Sequence, residues 1–215
     1  MSKLVLVIGS KRYSSWSLRP WIAMRQAGLS FDEVLIPFRR PDSRAALETH
    51  SPTAKVPVLR LDGRLVWESL AILETLAEAY PGAGLWPTDA VARAEARAVS
   101  AEMHAGFAAL RQHMPLDFCA QHPGRGRGAE VADDIRRIVA IWDSCRERFA
   151  SDGPFLFGPF TAADAMFAPV VSRFHTYVVE LSGPSQAYAD TVRSLPAMAE
   201  WGAAAATEDE AEVFG

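Results

Sequence analysis

The stretch from Ala54 to Leu76, AKVPVLRLDGRLVWESLAILETL, constrains this chain more than any other part of it. Val56-Pro57 leads into an apolar run, Val58 to Leu61, that reads as a strand. Asp62-Gly63 follows, a dipeptide favoured in tight hairpin turns. A return strand, Leu65 to Trp67, stops at Glu68-Ser69, and Leu70, Leu73, Leu76, Ala77 and Tyr80 then recur at helical spacing. The segment is therefore a hairpin that runs directly into a helix. A loop before a proline can offer open backbone hydrogen bonds, and a polar pair at a helix N-terminus can hold a carboxylate. Together these features suit a small zwitterionic peptide.

Upstream, Lys3 to Gly9 is rich in Val, Leu and Ile without alternation, the pattern of a buried strand. Its apolar part, Leu4 to Ile8, is too short for a signal-peptide core and is soon followed by Lys11-Arg12. Lys11 to Trp16 is a polar loop, and Ser17 to Gln26 a helix that stops near Gly28. Pro20 falls in the first turn of that helix, where proline is tolerated. Phe31 to Ile36 is a second strand and Ser43 to Glu48 a short helix, giving the order β-α-β-α-β-β-α through residue 80. Residues 81–89, PGAGLWPTD, are dense in breakers and form a linker. Everything from 90 to 215 is helical in character: one long helix over Val91 to His113, a loop at Gln121 to Gly128, and a second long helix. That second helix carries Val131, Ile135, Ile138, Trp142, Cys145 and Phe149 as a core-packing stripe. Further helices are expected at 161–178, 185–193 and 196–205, and the acidic tail TEDEAEVFG is expected to fray.

At 215 residues the chain can bury a substantial core in one or two domains. A net charge of -4 argues against a general nucleic-acid binder. No segment approaches the roughly 18 to 20 apolar residues of a membrane span. Cys119 and Cys145 form neither a redox motif nor a disulfide scaffold, which points to a reducing cytoplasm. His50, His104, His113, His122 and His175 show no ligand spacing, so no metal site is expected.

The element order, Val56-Pro57, Glu68-Ser69 and the all-helical continuation together resemble the cytosolic glutathione transferases over nearly the whole chain. The resemblance implies an α+β thioredoxin-like N-terminal domain (residues 1–80), a linker (81–89) and an all-α C-terminal domain (90–215). Where thioredoxins carry a Cys-x-x-Cys pair this chain has Ser14-x-x-Ser17, so disulfide exchange through that pair is unavailable. A hydroxyl there can donate a hydrogen bond to a thiolate. Moving a thiol from a pKa near 8.5 toward 6.5 takes about 2.7 kcal/mol of preference for the anion, within reach of one donor plus a helix N-terminus.

By resemblance to serine-type members, especially the zeta and tau classes, Ser14 is the thiol activator, with Tyr13 and Ser15 as alternatives. Serines in such a loop also cap helices, the role expected of Ser17. The resemblance further implies a cis Pro57, Val56 pairing its backbone with the cysteinyl part of glutathione, and Lys55 reaching the glycine carboxylate. Ser69 would hold the γ-glutamyl carboxylate, and Glu68 would meet the ammonium. Thr161 and Asp164 read as a capping box at the start of a buried helix. Arg19 reads as structural, pairing with a carboxylate or a loop carbonyl, while Arg125 and Arg127 solvate a loop. The electrophile pocket of such proteins lies between the domains, where Tyr13, Trp16, Met103, Phe107, Met114, Phe118 and Phe174 are candidates.

The implied protein is a cytoplasmic homodimer that conjugates glutathione, as co-substrate, to a small, mainly apolar electrophile. No metal or tightly bound cofactor is implied, and neither nucleic acid nor membrane is a partner. Two alternatives stay open. The Ser14-Ser15-x-Ser17 loop fits a glutathione-dependent isomerase of the maleylacetoacetate type, although Lys55 and Trp16 stand where zeta members usually have glutamine and cysteine. The other is a non-catalytic binding module, against which the intact set of Ser14, Lys55, Val56, Glu68 and Ser69 argues.

Overall fold

The computed structural model describes residues 3–38 and 40–208; most of the acidic tail, at 209–215, lies outside the described residues. Four strands, β1 (Leu4–Gly9), β2 (Asp32–Ile36), β3 (Val58–Leu61) and β4 (Arg64–Trp67), form a sheet in the order β2-β1-β3-β4. β1 runs parallel to β2 and antiparallel to β3, and β4 closes the hairpin with Val58 opposite Trp67. Asp62 and Gly63 both take positive φ, 50° and 82°, the mirror-type turn whose twist matches a hairpin. Successive side chains of β1 divide between the faces. Leu4, Leu6 and Ile8 enter the main core with α1 (Ser15–Gln26) and α3 (Ser69–Ala79), while Val7 joins Val58 and Ile36 against α2 (Ser43–His50). The sheet and its helices form a thioredoxin-like unit.

Helix α1 begins two residues earlier than expected, so Pro20 is its sixth residue, beyond the first turn. Proline has no N–H, which leaves the Trp16 carbonyl without its usual helical partner. The linker is docked against the helical part: Leu85 and Trp86 are buried, and the Leu85 carbonyl accepts from Ala162 N at 2.7 Å.

The helix expected over residues 91–113 is two helices, α4 (Ala90–Ala105) and α5 (Ala108–His113). Gly106 is extended (φ -95°, ψ -167°) and Phe107 takes a left-handed φ of 59°. Phe107 buries its ring at the break, and Asp134 accepts from Leu110 N at 2.9 Å in the first turn of α5. Alanine-rich periodicity gave no sign of that tertiary partner. The remaining helices are α6 (Ala129–Phe149), α7 (Ala162–Thr176), α8 (Gly183–Arg193) and α9 (Pro196–Ala205). α7 is buried along almost its whole length and packs against both α1 and α4. Its first turn is the Thr161–Asp164 capping box. Arg127 does more than solvate its loop, donating to the Tyr177 and Val178 carbonyls after α7.

Candidate active site

A cavity of about 400 Å³ opens between the sheet-bearing part and the end of α4. Lys55, Val56 and Pro57 form one wall, Trp67 and Glu68 a second, and Trp16 with His104 the side toward the helical part. The Val56-Pro57 peptide is cis. The loop before it is tied by the buried Ser51 hydroxyl, which accepts from Thr53 N (3.3 Å) and Lys55 N (3.2 Å). No hydrogen bond within the described residues uses the backbone N–H or C=O of Val56. Both are available to an extended peptide laid beside them.

Across the cavity α3 begins. Glu68, in the cavity wall just before α3, has φ 68° and ψ 125°, a strained conformation for a residue with a Cβ. Ser69 is fully buried, and its hydroxyl has no partner among the described residues. A buried hydroxyl without a partner is costly, and an anion at the N-terminus of α3 would satisfy it.

The Ser14 loop differs from expectation in one respect. Ser14, not Ser17, is the N-cap of α1: its Oγ accepts from Ser17 N at 3.2 Å and donates to Ser17 Oγ at 2.7 Å. Ser17 Oγ in turn accepts from Gly9 N at 3.1 Å. Ser14 is buried behind the cavity wall, and from this loop only Trp16 lines the cavity. A thiolate would have to draw the Ser14 proton away from Ser17 Oγ. Ser15 Oγ accepts from Arg173 Nη2 at 3.2 Å, which leaves its own proton to donate elsewhere.

Most of the expected electrophile-pocket residues are core or lie elsewhere. Met103 and Met114 are fully buried, Phe118 and Phe174 line separate grooves in the helical part, and only Trp16 of the set lines the cavity. A helical stripe shows which face is apolar but not whether that face meets a cavity or another helix.

Two features were not legible in the sequence. The first is His104, which spacing gave no reason to single out. It lies just before the break after α4, edge-on to Trp16 (5.3 Å between rings), with Nε2 3.6 Å from Glu68 Oε2. Burial lowers its pKa, as do the charges of Arg19 and Arg111, while Glu68 opposes them. Its Nδ1 has no partner among the described residues.

The second feature is a cluster of guanidinium groups. Arg19 and Arg173 are nearly fully buried, and Arg19 Nε donates to the Met166 carbonyl at 3.2 Å, a loop-independent form of the structural role expected for it. The rings and charges converge on Trp16, whose indole lies 4.1 Å from the Arg19 guanidinium and 5.0 Å from that of Arg111. Among the described residues none of the three forms a salt bridge with a carboxylate, and Arg19 Nη1, Arg173 Nη1 and Arg111 Nε lack partners. Burial, and then mutual repulsion, lowers the pKa of Arg19, and burial with Arg111 brings Arg173 down to about 10. Arg173 is therefore still charged at neutral pH. Among the described residues no group of three or more His, Cys, Asp or Glu side chains could hold a metal ion.

A thioredoxin-like sheet unit and a helical half that share one cleft define a two-part, thioredoxin-related class of protein. Sequence profiles described as "Glutathione S-transferase, N-terminal domain" and "Glutathione S-transferase, C-terminal domain" match residues 13–79 and 128–203. The chain is 34% identical over 185 residues to a probable maleylacetoacetate isomerase of Caenorhabditis elegans, covering 85% of each chain. It is 35% identical to the maleylacetoacetate isomerase of Rattus norvegicus, covering 79% of this chain and 78% of that one. A glutathione transferase homolog from Burkholderia gl BGR1, solved with bound glutathione, has the same fold at 20% identity with a TM-score of 0.71, covering 97% of this chain and all of that one. The chain belongs to the glutathione S-transferase family and is an enzyme of that family.

Proposed function

We propose that this enzyme binds glutathione in the cleft and transfers its thiolate to a small electrophile held against the Trp16–His104 side. Lys55 receives the glycine carboxylate, Val56 pairs with the cysteinyl backbone, and Ser69 with the N-terminus of α3 holds the γ-glutamyl carboxylate. Glu68 meets the ammonium. Ser14 turns its proton from Ser17 Oγ to the sulfur and, with the positive end of α1, favours the thiolate. The thiolate, its proton released to solvent, then forms the new C–S bond as the electrophile's leaving group departs with the bonding pair, or as its double bond takes up the pair and then a proton from solvent. The observation that carries this reading is a pair of open groups: the Val56 backbone in one cavity wall, and, next to Glu68 of the opposite wall, the buried Ser69 hydroxyl, unpartnered among the described residues.

The ultraviolet absorbance of the bound thiolate, followed against pH, tests this assignment in wild type and Ser14→Ala. The expected outcome is a bound-thiol pKa lowered by about one unit or more in wild type, about 1.4 kcal/mol, and largely restored in the variant. Glutathione bound without any shift in wild type would remove the transferase mechanism. A shift that survives in Ser14→Ala would move the role to Tyr13 or Ser15.

A second reading, glutathione-dependent cis–trans isomerisation of the maleylacetoacetate type, is favoured by the guanidinium cluster. Arg19, Arg111 and Arg173 bring to the loop that carries Ser14 positive charge that makes no carboxylate ion pair among the described residues, with Asp134 the one carboxylate felt by Arg111, and this suits an acidic acceptor better than an apolar one. Glutathione recovered unchanged after turnover would select isomerisation; glutathione consumed in step with the acceptor would select conjugation. We also propose a cytoplasmic homodimer. Leu65 and Trp67 on β4 and Val91 on α4 are large apolar side chains left 43%, 43% and 63% exposed, a natural surface for a second copy. No helix among the described residues is long and apolar enough to cross a membrane.

A further inference from the structure

The turn that carries Ser14 is held together from inside and from outside by different parts of the chain. From inside, the Ser10 carbonyl accepts from Tyr13 N (3.1 Å) and Ser14 N (2.8 Å), which closes the turn between β1 and α1. This leaves the backbone groups of Lys11 and Arg12, in the middle of the turn, pointing away from the sheet. All four of them meet the helical part. Lys11 N donates to Glu208 Oε1 at 2.6 Å and Arg12 N to Glu208 Oε2 at 3.1 Å. The Lys11 carbonyl accepts from Trp201 Nε1 at 2.8 Å, and the Arg12 carbonyl from Phe118 N at 2.9 Å.

The side chains of the turn add to this grip. Arg12 makes a two-bond pair with Asp117 (2.8 and 3.3 Å). Lys11 pairs with Glu33 at 2.7 Å while lying 5.4 Å from the ring centres of both Trp21 and Trp201. Trp201 is itself buried edge-on against Trp21 of α1, at 5.0 Å. A loop is ordinarily satisfied by water on its outer side. Here the outer side is satisfied by a carboxylate and an indole almost two hundred residues later in the chain.

We propose that Glu208 and Trp201 are positioning residues for catalysis: the segment from α9 through Glu208 clamps the 10–14 turn and thereby sets the Ser14 hydroxyl. The physical reason is that one carboxylate spans two adjacent amides. Its two charge-assisted hydrogen bonds hold the peptide planes of Lys11 and Arg12 in one orientation, and the Ser10–Ser14 closure passes that orientation to Ser14. Neither residue lines the cleft, and the Lys55, Val56 and Glu68 walls are built by other elements. The clamp therefore acts on the thiol and not on the binding of the peptide. This inference rests on the Ser14 reading for its consequence to chemistry, and on the hydrogen-bond geometry alone for its consequence to the loop.

The test compares Glu208→Ala and Glu208→Gln with wild type, with Ser14→Ala, and with Arg25→Ala as a control. Arg25 makes a 2.7 Å pair with Glu200 on α9 and lies 3.6 Å from Glu33, the carboxylate that pairs with Lys11, so its loss removes neighbouring charge without removing any hydrogen bond to the turn. Amide hydrogen exchange reports the loop, the bound-thiol titration reports the sulfur, and steady-state kinetics with chlorodinitrobenzene separate kcat from the KM for glutathione. For Glu208→Ala we expect exchange over residues 10–16 to quicken about tenfold while residues 54–69 are unchanged. We also expect a bound-thiol pKa raised by about half a unit and kcat lowered roughly three- to tenfold at a KM within about twofold. Glu208→Gln, which turns an amide N–H toward one backbone donor, should fall between, and Arg25→Ala should match wild type.

Unchanged exchange over 10–16 in Glu208→Ala overturns the clamp. So does a thiol pKa that moves in Ser14→Ala but not in Glu208→Ala. If it moves in Glu208→Ala but not in Ser14→Ala, the clamp stands and the donor is Tyr13 or Ser15. If wild type lowers no thiol pKa, the Ser14 reading falls by itself and the exchange result alone decides the clamp.

Discussion

Replacing Asp164 should change how stability depends on pH as well as how large it is. Its carboxylate is fully buried and accepts from Leu156 N (3.1 Å), Thr161 N (2.8 Å) and Thr161 Oγ1 (3.1 Å). Burial outweighs those hydrogen bonds and raises its pKa from 3.8 to about 6. The folded protein thus holds this proton more tightly than the unfolded chain between those values, so stability falls as pH rises through the window. The stabilisation is complete below the unfolded value and lost once pH passes about 6. A rise in pKa of that size corresponds to about 3 kcal/mol. Wild type minus Asp164→Asn should therefore lose about 1.4 kcal/mol per pH unit between roughly pH 4 and 6, and show no difference in slope above it. Asp164→Ala orphans two buried N–H groups and removes the cap, a loss on the order of 3 to 5 kcal/mol at neutral pH. Urea unfolding at several pH values measures both. Equal pH slopes in wild type and Asp164→Asn would refute the burial argument. Weakened glutathione binding at unchanged stability would refute the structural role.

Ser69→Ala should weaken glutathione about tenfold by calorimetry and leave unfolding free energy within about 0.5 kcal/mol, since its hydroxyl has no partner in the free protein. A stability loss with unchanged affinity would show the hydroxyl to be structural. His104 is neutral at pH 7 because burial, Arg19 and Arg111 push its pKa below the ordinary 6.5 against the pull of Glu68. On acidification the imidazolium, edge-on to Trp16, should compete for Glu68 with the ammonium of glutathione. The KM for glutathione should then climb at acid pH in wild type and stay flat in His104→Gln. Arg111→Met should relieve inhibition by a simple dicarboxylate such as succinate about tenfold with no change for a neutral electrophile; equal effects on both would detach the guanidinium cluster from acceptor binding.

The first four strands and three helices were legible because each is punctuated locally. Asp62-Gly63 makes one turn, Gly28 ends one helix, and the proline at 57 precedes a strand whose alternate residues split between two cores. Lys55, Val56 and Glu68, proposed for glutathione, were legible as neighbours for the same reason: they sit on one hairpin-and-helix segment and line one cavity, with Ser69 buried next to them. Residues whose surroundings come from distant segments were not. The kink at Phe107 depends on Asp134, which caps a helix the periodicity had no reason to start there. Ser17 looked like the cap, but the helix starts at Ser15, so Ser14 takes that place and Ser17 lies inside the first turn with its Oγ engaged by Gly9 N.

The local pattern of the first eighty residues thus settles which elements form there and their order along the chain, because turns, caps and alternation act over a few residues. Packing between the halves decides the rest. It places His104 against Glu68, gathers Arg19, Arg111 and Arg173 around Trp16, and lays the Glu208 carboxylate on the Ser14 turn. These contacts join residues up to almost two hundred positions apart, and burial gives them their energies. Neither the separation nor the burial is written in any window of sequence.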